Sequence, residues 1–250
     1  MSSRVIPIKA ATKTVPLVGE IRRDDTHWID SRGRPLRDVR ISITDRCNFR
    51  CRYCMPKEKF EKDHCFLSHT EVLSFEEIIR LGRIFAANGV EKIRLTGGEP
   101  LLRKGIEFLI EELSKLKTWN GKPLDVAVTT NGAALSAKAK SLAAAGLKRL
   151  TVSLDAMDPQ IYKDLNDVNF PIEKTLAGIQ AAKAAGIPSI KITVVVKRGL
   201  NEKELIKIAE HFKGTGIIVR YIEFMDVGTS NGWRLDDVIT SGQLVEESNG

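Results

Sequence analysis

The segment Thr44-Asp-Arg-Cys-Asn-Phe-Arg-Cys-Arg-Tyr-Cys-Met-Pro56 carries three of the four cysteines of the chain, at Cys47, Cys51 and Cys54. Disulfides need pairs of cysteines, and a structural zinc ion usually takes four protein ligands. An iron–sulfur cluster held by three thiolates keeps one iron free to bind a reacting molecule. The C-x3-C-x2-C spacing therefore favours a cluster. The alternative is a zinc knuckle completed by His64 or Cys65, although Cys65 is more simply interpreted as incidental.

Segments of β character alternate with amphipathic helical segments on either side of this loop and along the rest of the chain. Such alternation predicts parallel strands joined by right-handed crossovers. An open doubly wound sheet and a (β/α) barrel both fit the pattern, and in both the chemistry gathers at the carboxyl ends of the strands. The strands are predicted at Val39–Thr44, Lys92–Thr96, Val126–Thr130, Arg149–Leu154, Lys191–Val196 and Ile217–Phe224.

Helix boundaries are marked by local signals. Ser74 followed by Glu77 predicts a capping box, and Asn201 before two glutamates predicts another helix start. Glycines just past amphipathic stretches predict helix ends. The helices are predicted at Phe75–Ala87, Ile106–Leu116, Ala137–Ala145, Ile172–Ala185 and Glu202–Phe212, with stops at Gly89, Gly146 and Gly186.

Polar motifs stand at the carboxyl ends of the predicted strands. The cysteine loop follows the first strand, and Gly97-Gly-Glu-Pro100 follows the second. Paired glycines allow the backbone to approach a ligand closely, and Glu99 places a carboxylate on a stiff turn. Asparagine and aspartate at strand ends are also common turn chemistry. Together these ends predict a lined cavity, to which the later strands contribute Thr129-Thr-Asn-Gly132, Ser153-Leu-Asp155 and Glu223-Phe-Met-Asp226.

Basic residues within the strands suggest an anion site. Lys191 alternates with apolar residues on the fifth strand, so its side chain faces either solvent or a barrel lumen. In a nearly closed barrel the outer face is covered by helices, which favours the lumen. Arg40, Arg94 and Arg220 also lie in predicted strands, and arginine suits bidentate contacts with phosphate. Four such cations in one interior would bind a nucleotide triphosphate.

The composition of the chain argues against several classes of protein. No run of about 18 apolar residues occurs, so we expect no membrane partner. The net charge of +7 arises from dispersed residues rather than a dense basic patch, so we expect no nucleic-acid partner. Residues 1–33 are predicted to be a flexible N-terminal arm, with organelle targeting as the alternative. Clustered cysteines without a secretory signal favour a cytoplasmic protein.

The cysteine spacing followed by Gly-Gly-Glu-Pro resembles the radical S-adenosylmethionine (SAM) superfamily. Within it, the chain resembles the GTP 3′,8-cyclase family, which catalyses the first step of molybdenum-cofactor biosynthesis. The resemblance is carried by these two motifs together with Thr129-Thr-Asn-Gly132, Val152-Ser-Leu-Asp-Ala156 and Ile222-Glu-Phe-Met-Asp-Val-Gly228. The resemblance implies an α/β fold, an incomplete (β/α)6 TIM-type barrel of parallel strands. It also implies reductive cleavage of SAM on a 4Fe-4S cluster to a 5′-deoxyadenosyl radical, which cyclises GTP to its 3′,8-cyclo-7,8-dihydro derivative.

The same resemblance assigns residues to roles, although it singles out no catalytic side chain. The cluster ligands would be Cys47, Cys51 and Cys54. Contacts with SAM would fall on Tyr53, Gly98, Ser153 and Met225. Contacts with GTP would fall on Arg40, Arg94, Thr129 and Lys191.

The partners implied are GTP, an electron donor and a downstream cyclic pyranopterin monophosphate synthase, and a homodimer is possible. Family members carry three further cysteines for a second 4Fe-4S cluster, and no cysteine follows Cys65 here. We therefore expect a barrel over 34–240 and only the start of a second-cluster region over 241–250. The alternatives are a radical SAM enzyme acting on another substrate and an inactive iron–sulfur fragment.

Overall fold

The computed structural model describes residues 22–24, 27–60, 63–227 and 231–248. Its strands form two separate sheets. A short antiparallel pair consists of β1 (Arg22–Asp24) and β2 (His27–Ile29). The main sheet consists of β3 (Asp38–Ser42), β4 (Lys92–Thr96), β5 (Asp125–Thr130), β6 (Arg149–Ser153), β7 (Ser189–Val196) and β8 (Ile218–Glu223).

Helices connect the strands of the main sheet, and one more helix follows the last strand. They are α1 (Phe75–Ala87), α2 (Ile106–Ser114), α3 (Leu135–Ala144), α4 (Pro159–Asn166), α5 (Ile172–Ala184), α6 (Leu205–Phe212) and α7 (Ser241–Ser248). Short 3₁₀ helices lie at Pro100–Leu102, Glu202–Glu204 and Leu235–Asp237.

The strand order decides between the two predicted architectures. All neighbouring strands of the main sheet pair in parallel, and their spatial order is β3-β4-β5-β6-β7-β8. A doubly wound sheet reverses its strand order at a switch point, whereas this order never reverses. Right-handed crossovers in one direction place every helix on the same face, so the other face curls into a lumen. The incomplete six-stranded barrel is confirmed.

The outer face of the sheet carries the apolar core. Alternate residues of each strand are buried there against the helices, such as Ile93 and Leu95 of β4, both fully inaccessible to solvent. The helices contribute Ile78, Leu109 and Ile179 to the same core. Because burial of a large aliphatic side chain contributes about 1.5–3 kcal/mol, this layer is the main source of stability.

The inner face is different in character. Along β7, buried residues alternate strictly with half-buried ones, so that Ile190 and Ile192 face the helices while Lys191 and Thr193 face inward. This alternation follows from the two-residue period of a strand. The lumen prediction for Lys191 is therefore correct, and the solvent alternative is wrong.

Most of the predicted boundaries are confirmed to within two residues. The capping box exists: Glu77 N–H donates to Ser74 Oγ, and Ser74 N–H donates to Glu77 Oε2. The helix start predicted at Asn201 is confirmed, since Asn201 stands at the N-cap position of the 3₁₀ helix Glu202–Glu204; its side chain does not cap that helix but donates to Asp155 O and Val195 O. The prediction missed α4 and α7, which are only eight residues long each.

Part of the predicted N-terminal arm lies against the barrel. There β2 docks on α1: Trp28 N–H donates to Asn88 O, and the rings of Trp28 and Phe85 lie 6.0 Å apart. Residues 1–21 of the predicted arm lie outside the described residues. None of the helices in the described ranges has the length and apolar character that a membrane span requires.

Two adjacent residues of α2 test which face of the helices stabilises the barrel. Leu109 is fully buried, whereas Phe108 is 49% exposed. We expect Leu109→Ala to lower the free energy of unfolding by about 2–5 kcal/mol, because it opens a cavity in the core. The matched control Phe108→Ala should change it by about 0.5 kcal/mol or less. Urea unfolding followed by circular dichroism measures both, and equal effects would contradict this assignment of faces.

Candidate functional site

The cysteine loop sits at the carboxyl ends of β3 and β4 because two glycines let it approach. Gly98 N–H donates to Thr44 O (2.7 Å), and Glu99 N–H donates to Arg46 O (2.8 Å). A Cβ atom at Gly97 would lie 2.2 Å from Thr44 O, and one at Gly98 would lie 2.3 Å from Arg46 O. The sequence predicts that this glycine pair lets a ligand approach closely. In this structure the chain that enters the cysteine loop occupies that space.

Glu99 does not face a ligand. Its side chain is 1% exposed and accepts hydrogen bonds from Thr130 Oγ1 (2.7 Å), Asn131 N–H (2.7 Å) and Leu101 N–H (3.0 Å). Burial raises the pKa of this carboxyl, and the three hydrogen bonds oppose the rise. The role that we predicted for Glu99 in ligand binding therefore has to be corrected, since its oxygens anchor the end of β5.

The end of β5 in turn contacts the cysteine loop. Asn131 Nδ2 donates to Asn48 Oδ1 (2.9 Å) and lies 3.9 Å from Cys47 Sγ. Backbone Phe49 N–H also points at Cys47 Sγ, at 3.4 Å. N–H donors around a cysteine sulfur suit a thiolate that binds metal, because they stabilise its negative charge.

The three cysteines differ in exposure. Cys51 is buried, Cys47 is half-buried and Cys54 is exposed. Burial raises the pKa of the Cys47 thiol to about 11. The pKa of Cys51 is held well above its ordinary value by a hydrogen bond with Cys54 and by burial. Such thiols lose their protons only when a cation compensates the charge, so the donor set fits an iron–sulfur cluster. Among the described residues, no three ligating side chains already converge on one metal-ion position.

Neither alternative zinc ligand is engaged with this loop. His64 packs between Phe60 and Phe66, with its ring centroid 4.7 Å from each. Cys65 is exposed, and its Sγ lies 3.9 Å from Asp63 O. No hydrogen bond in the described part of the chain joins either residue to the three clustered cysteines.

Tyr53, between the second and third cysteines, is tied to the end of β6. Its hydroxyl donates to Asp155 Oδ2 (2.7 Å), and Val195 N–H donates to Asp155 Oδ1 (2.7 Å). Burial raises the pKa of Asp155 to about 6, although both hydrogen bonds lower it. Asn201 completes the network through Asp155 O. This carboxylate thus joins the cysteine loop, β6 and β7.

Met225, just past β8, is joined to the same loop by Asn231. The Nδ2 of Asn231 donates to both Tyr53 O (3.1 Å) and Met225 O (3.0 Å). The Met225 side chain is 55% exposed. Asn231 was not among the residues predicted from the sequence. The one feature that could have indicated its role is its position in a polar stretch after the last strand. The structure thus brings two of the predicted SAM residues, Tyr53 and Met225, together.

The remaining predicted SAM residues lie nearby along the strand ends. Gly98 packs on the cysteine loop as described above. Ser153 is the last residue of β6 and is half-buried, in register with Thr193 of β7 on the inner face. It stands between the strand ends and the interior of the barrel.

Within the barrel, all four predicted GTP residues line one cavity of about 250 Å³. Register explains why Arg40 and Arg94 meet, since they are paired across β3 and β4. On the neighbouring strands β6 and β7, Thr151 pairs with Lys191. The cavity lining comprises Arg40, Lys92, Arg94, Ala127, Thr129, Arg149, Leu150, Thr151, Lys191, Thr193, Arg220 and Ile222. Sequence reasoning found Arg220 but missed Lys92 and Arg149, which stand at inward positions of β4 and β6.

Charge in this cavity is unbalanced. Asp38 forms ion pairs with Lys92 and Arg94, and Asp125 forms one with Arg149. Arg40, Lys191 and Arg220 have no ion pair among the described residues. Burial lowers the pKa of Lys191, and the neighbouring cations, Arg220 first among them, lower it further. An anion placed here would relieve this repulsion, so the cavity has the electrostatics of a polyanion site.

A larger, apolar cavity of about 680 Å³ lies elsewhere, between α6 and β8. It is lined by side chains such as Ile206, Phe212 and Ile217, with Glu210 and Lys213 as its only ionisable neighbours besides Tyr221. It lacks the converging polar groups of the barrel interior, so we place the site in the barrel.

The raised pKa of Asp155 predicts a change of stability with pH. The unfolded carboxyl titrates near 3.8 and the folded one near 6. Because the folded pKa is raised, the stabilising contribution is present below the unfolded value and is lost as pH rises through 6. We expect the wild type to lose about 2–3 kcal/mol relative to Asp155→Asn between about pH 4 and pH 7. Urea unfolding measures the difference, and parallel pH profiles would rule it out.

Comparison with known proteins agrees with this geometry. The chain is 49% identical over 216 residues to the GTP 3′,8-cyclase of Acidothermus cellulolyticus and 45% identical over 216 residues to that of Staphylococcus epidermidis. Each match covers 86% of this chain, and it covers 59% and 62% of the two relatives. The chain therefore spans about 60% of the length of the curated relatives that it matches.

Solved structures support the fold. A radical SAM methyltransferase from Sphaerobacter thermophilus superposes with a TM-score of 0.63 at 17% identity, covering 89% of this chain and 68% of that one. The FeFe-hydrogenase maturase HydG from Carboxydothermus hydrogenoformans gives 0.60 at 16% identity, covering 85% and 49%. At such identities the likeness concerns the barrel alone.

The family model described as the radical SAM superfamily matches residues 41–212, from the edge strand β3 through α6. This range contains the cysteine loop, the glycine turn and most of the cation-lined cavity. Members of this superfamily use a 4Fe-4S cluster and SAM, and the donor set of the loop fits that cluster. The chain belongs to the radical SAM superfamily.

Proposed function

We propose that this chain carries the SAM-cleaving barrel of a GTP 3′,8-cyclase, which acts in molybdenum-cofactor biosynthesis. The observation that supports this best is one barrel that combines a three-cysteine loop at its carboxyl ends with an excess of cations in its interior. The first feature suits reductive cleavage of SAM, and the second suits a triphosphate. The named relatives, at 45–49% identity, point to the same substrate.

Cys47, Cys51 and Cys54 would hold the cluster, leaving one iron to SAM. When bound, the cluster supplies the electron that cleaves SAM and so generates the radical that attacks the substrate. The chain itself has to place SAM, for which we propose Tyr53, Gly98, Ser153 and Met225. Holding the reactants in a fixed geometry and shielding them from water is the protein's share of such catalysis.

The interior cations would hold the triphosphate of GTP. Arg40 and Lys191 have no carboxylate partner among the described residues, so their charge is available to an anion. Arg94 is partly engaged by Asp38, at 3.7 Å, and has to shift that contact to bind phosphate. Thr129 offers a hydroxyl on the same wall. This arrangement would place GTP below SAM along the barrel axis.

We further propose that residues 34–240 form the unit that carries this chemistry, and that it works in the cytoplasm. Free thiols at all four cysteines suit a reducing compartment. The downstream synthase, the electron donor and a homodimer remain part of the proposal, because the chain covers only part of its relatives.

Cluster binding can be tested with a matched pair of cysteine variants. After anaerobic reconstitution with iron and sulfide, we expect Cys51→Ala to lose most of its iron and its visible absorbance, because one of three ligands is gone. The control Cys65→Ala should bind as much iron as the wild type. Iron analysis and paramagnetic resonance measure both. If Cys65→Ala also lost its metal, Cys65 would be a ligand and the zinc-knuckle alternative would regain support.

SAM binding is tested on the wild-type cluster. Coordination of SAM to the open iron should change the resonance spectrum of the reduced cluster. A spectrum that stays the same at saturating SAM would count against every radical mechanism for this chain.

GTP binding can be tested with two lysines of contrasting position. We expect Lys191→Ala to weaken GTP binding about 10- to 100-fold, because it removes a charge-assisted hydrogen bond of about 1.5–3 kcal/mol. Arg94→Ala should have a similar but smaller effect, since Asp38 already holds part of its charge. The control Lys140→Ala removes the same charge from the exposed face of α3. Calorimetric titration with GTP measures all three, and equal affinities would exclude the barrel interior as the GTP site.

A further inference from the structure

Asn166, the last residue of α4, lies against the most buried of the three clustered cysteines. Its side chain is 4% exposed, and Cys51 is 7% exposed. Cys51 Sγ lies 3.2 Å from Asn166 Oδ1, and the thiol is the donor. Asn166 Nδ2 is buried and has no hydrogen-bond partner among the described residues. A buried amide donor without a partner is unfavourable, so a native structure that keeps one calls for an explanation.

This contact is held in place by the backbone on both sides of Cys51. Arg50 N–H donates to Asn166 O, and Arg52 N–H donates to Leu165 O, both at 3.0 Å. The end of α4 is therefore fastened to the cysteine loop independently of the side chain. The backbone that carries Asn166 cannot move away from Cys51 without breaking these bonds.

The residue that follows strengthens the attachment. Asp167 has a φ of +48°, the only positive value at a non-glycine residue in the described part of the chain. Its carboxylate forms an ion pair with Lys57, also in the cysteine segment, at 2.7 Å. Left-handed backbone at a non-glycine residue is unfavourable and persists where the surrounding structure imposes it. Here it turns the chain so that α4 ends on Cys51.

The unpaired Nδ2 of Asn166 gains a possible acceptor, the Cys51 sulfur, once Cys51 binds metal. A metal-bound thiolate carries no proton, so it can no longer donate to Oδ1, and two electron-rich atoms would then face each other. Rotation of the amide by 180° exchanges its oxygen and nitrogen, which are distinguished only by their hydrogen bonds. Nδ2 would then donate to the sulfur, and Oδ1 would occupy the place of the orphaned group.

We propose that Asn166 is a positioning residue of the cluster, which donates an N–H···S hydrogen bond to the Cys51 thiolate and thereby raises the cluster's reduction potential. A hydrogen bond to a ligand sulfur stabilises the reduced, more negative cluster more than the oxidised one. Asn166 would thus make the cluster easier for an electron donor to reduce. The inference rests on the cluster of the proposed function and is independent of the identity of the substrate.

The test is a redox titration of the reconstituted chain, followed by paramagnetic resonance. Asn166→Leu keeps the size of the side chain and removes the donor. We expect the cluster to assemble and its midpoint to become more negative by about 59 mV, a tenfold change in the one-electron equilibrium. Asn166→Asp places a negative charge beside the sulfur and should shift the midpoint further in the same direction.

A control variant separates this effect from damage to α4. Tyr162→Phe deletes the buried hydrogen bond between Tyr162 and Thr175 (2.8 Å) in the same helix without touching Cys51. It should leave the midpoint unchanged. Loaded Asn166→Leu and Asn166→Asp proteins with the wild-type midpoint would overturn the proposal, as would an equal shift in Tyr162→Phe.

A second measurement does not depend on the Asn166 variants assembling. Asparagine labelled with ¹⁵N at the side-chain amide alone is incorporated in an Asn48→Ala and Asn131→Ala background, which removes the two other asparagine side chains beside Cys47. Pulsed resonance on the reduced cluster should then detect a coupled ¹⁵N nucleus, and absence of the coupling would refute the hydrogen bond. Failure of the proposed function looks different: the unmodified chain would then bind no cluster, or its cluster would not respond to SAM.

Discussion

The close backbone approach of Gly97 and Gly98 to the segment Thr44–Arg46 is the contact on which the site depends. It joins the ends of β3 and β4 at distances that no side chain would permit. Because the first cysteine follows directly after Arg46, this contact also fixes where the cysteine loop leaves the sheet. A larger residue at either glycine would move the loop away from the strand ends that complete the site.

Buried polar groups then hold the loop to the other strands. Glu99 and Asp155 are almost inaccessible to solvent, yet each accepts two or more hydrogen bonds from different elements. Fully satisfied networks of this kind are rigid, and each missing partner would be costly. Their carboxylates therefore serve the placement of the cysteines and of Tyr53. This is the kind of support that a precisely placed cofactor requires.

The interior of the barrel shows the opposite arrangement. Its cations outnumber its carboxylates, and Asp38 and Asp125 compensate only those toward one end. The barrel tolerates this repulsion because its stability comes from the apolar layer on the outer face of the sheet. The charged side chains thus lie on the inner face of the strands, and the apolar side chains that stabilise the barrel lie on the outer face of the same strands. The proposed triphosphate site occupies the inner face.

The sequence by itself determined the order of strands and helices, the cysteine spacing and the alternation in Lys191–Val196, because these are local patterns with periods of two or 3.6 residues. Local patterns cannot say which face of a strand becomes a lumen, or what a glycine pair makes room for. Only the tertiary structure decided that Glu99 is buried against Thr130 and that Asn166 contacts Cys51. Those partners are 31 and 115 residues apart along the chain, and no periodicity extends over such distances. Which residues meet there depends on the curling of the whole sheet.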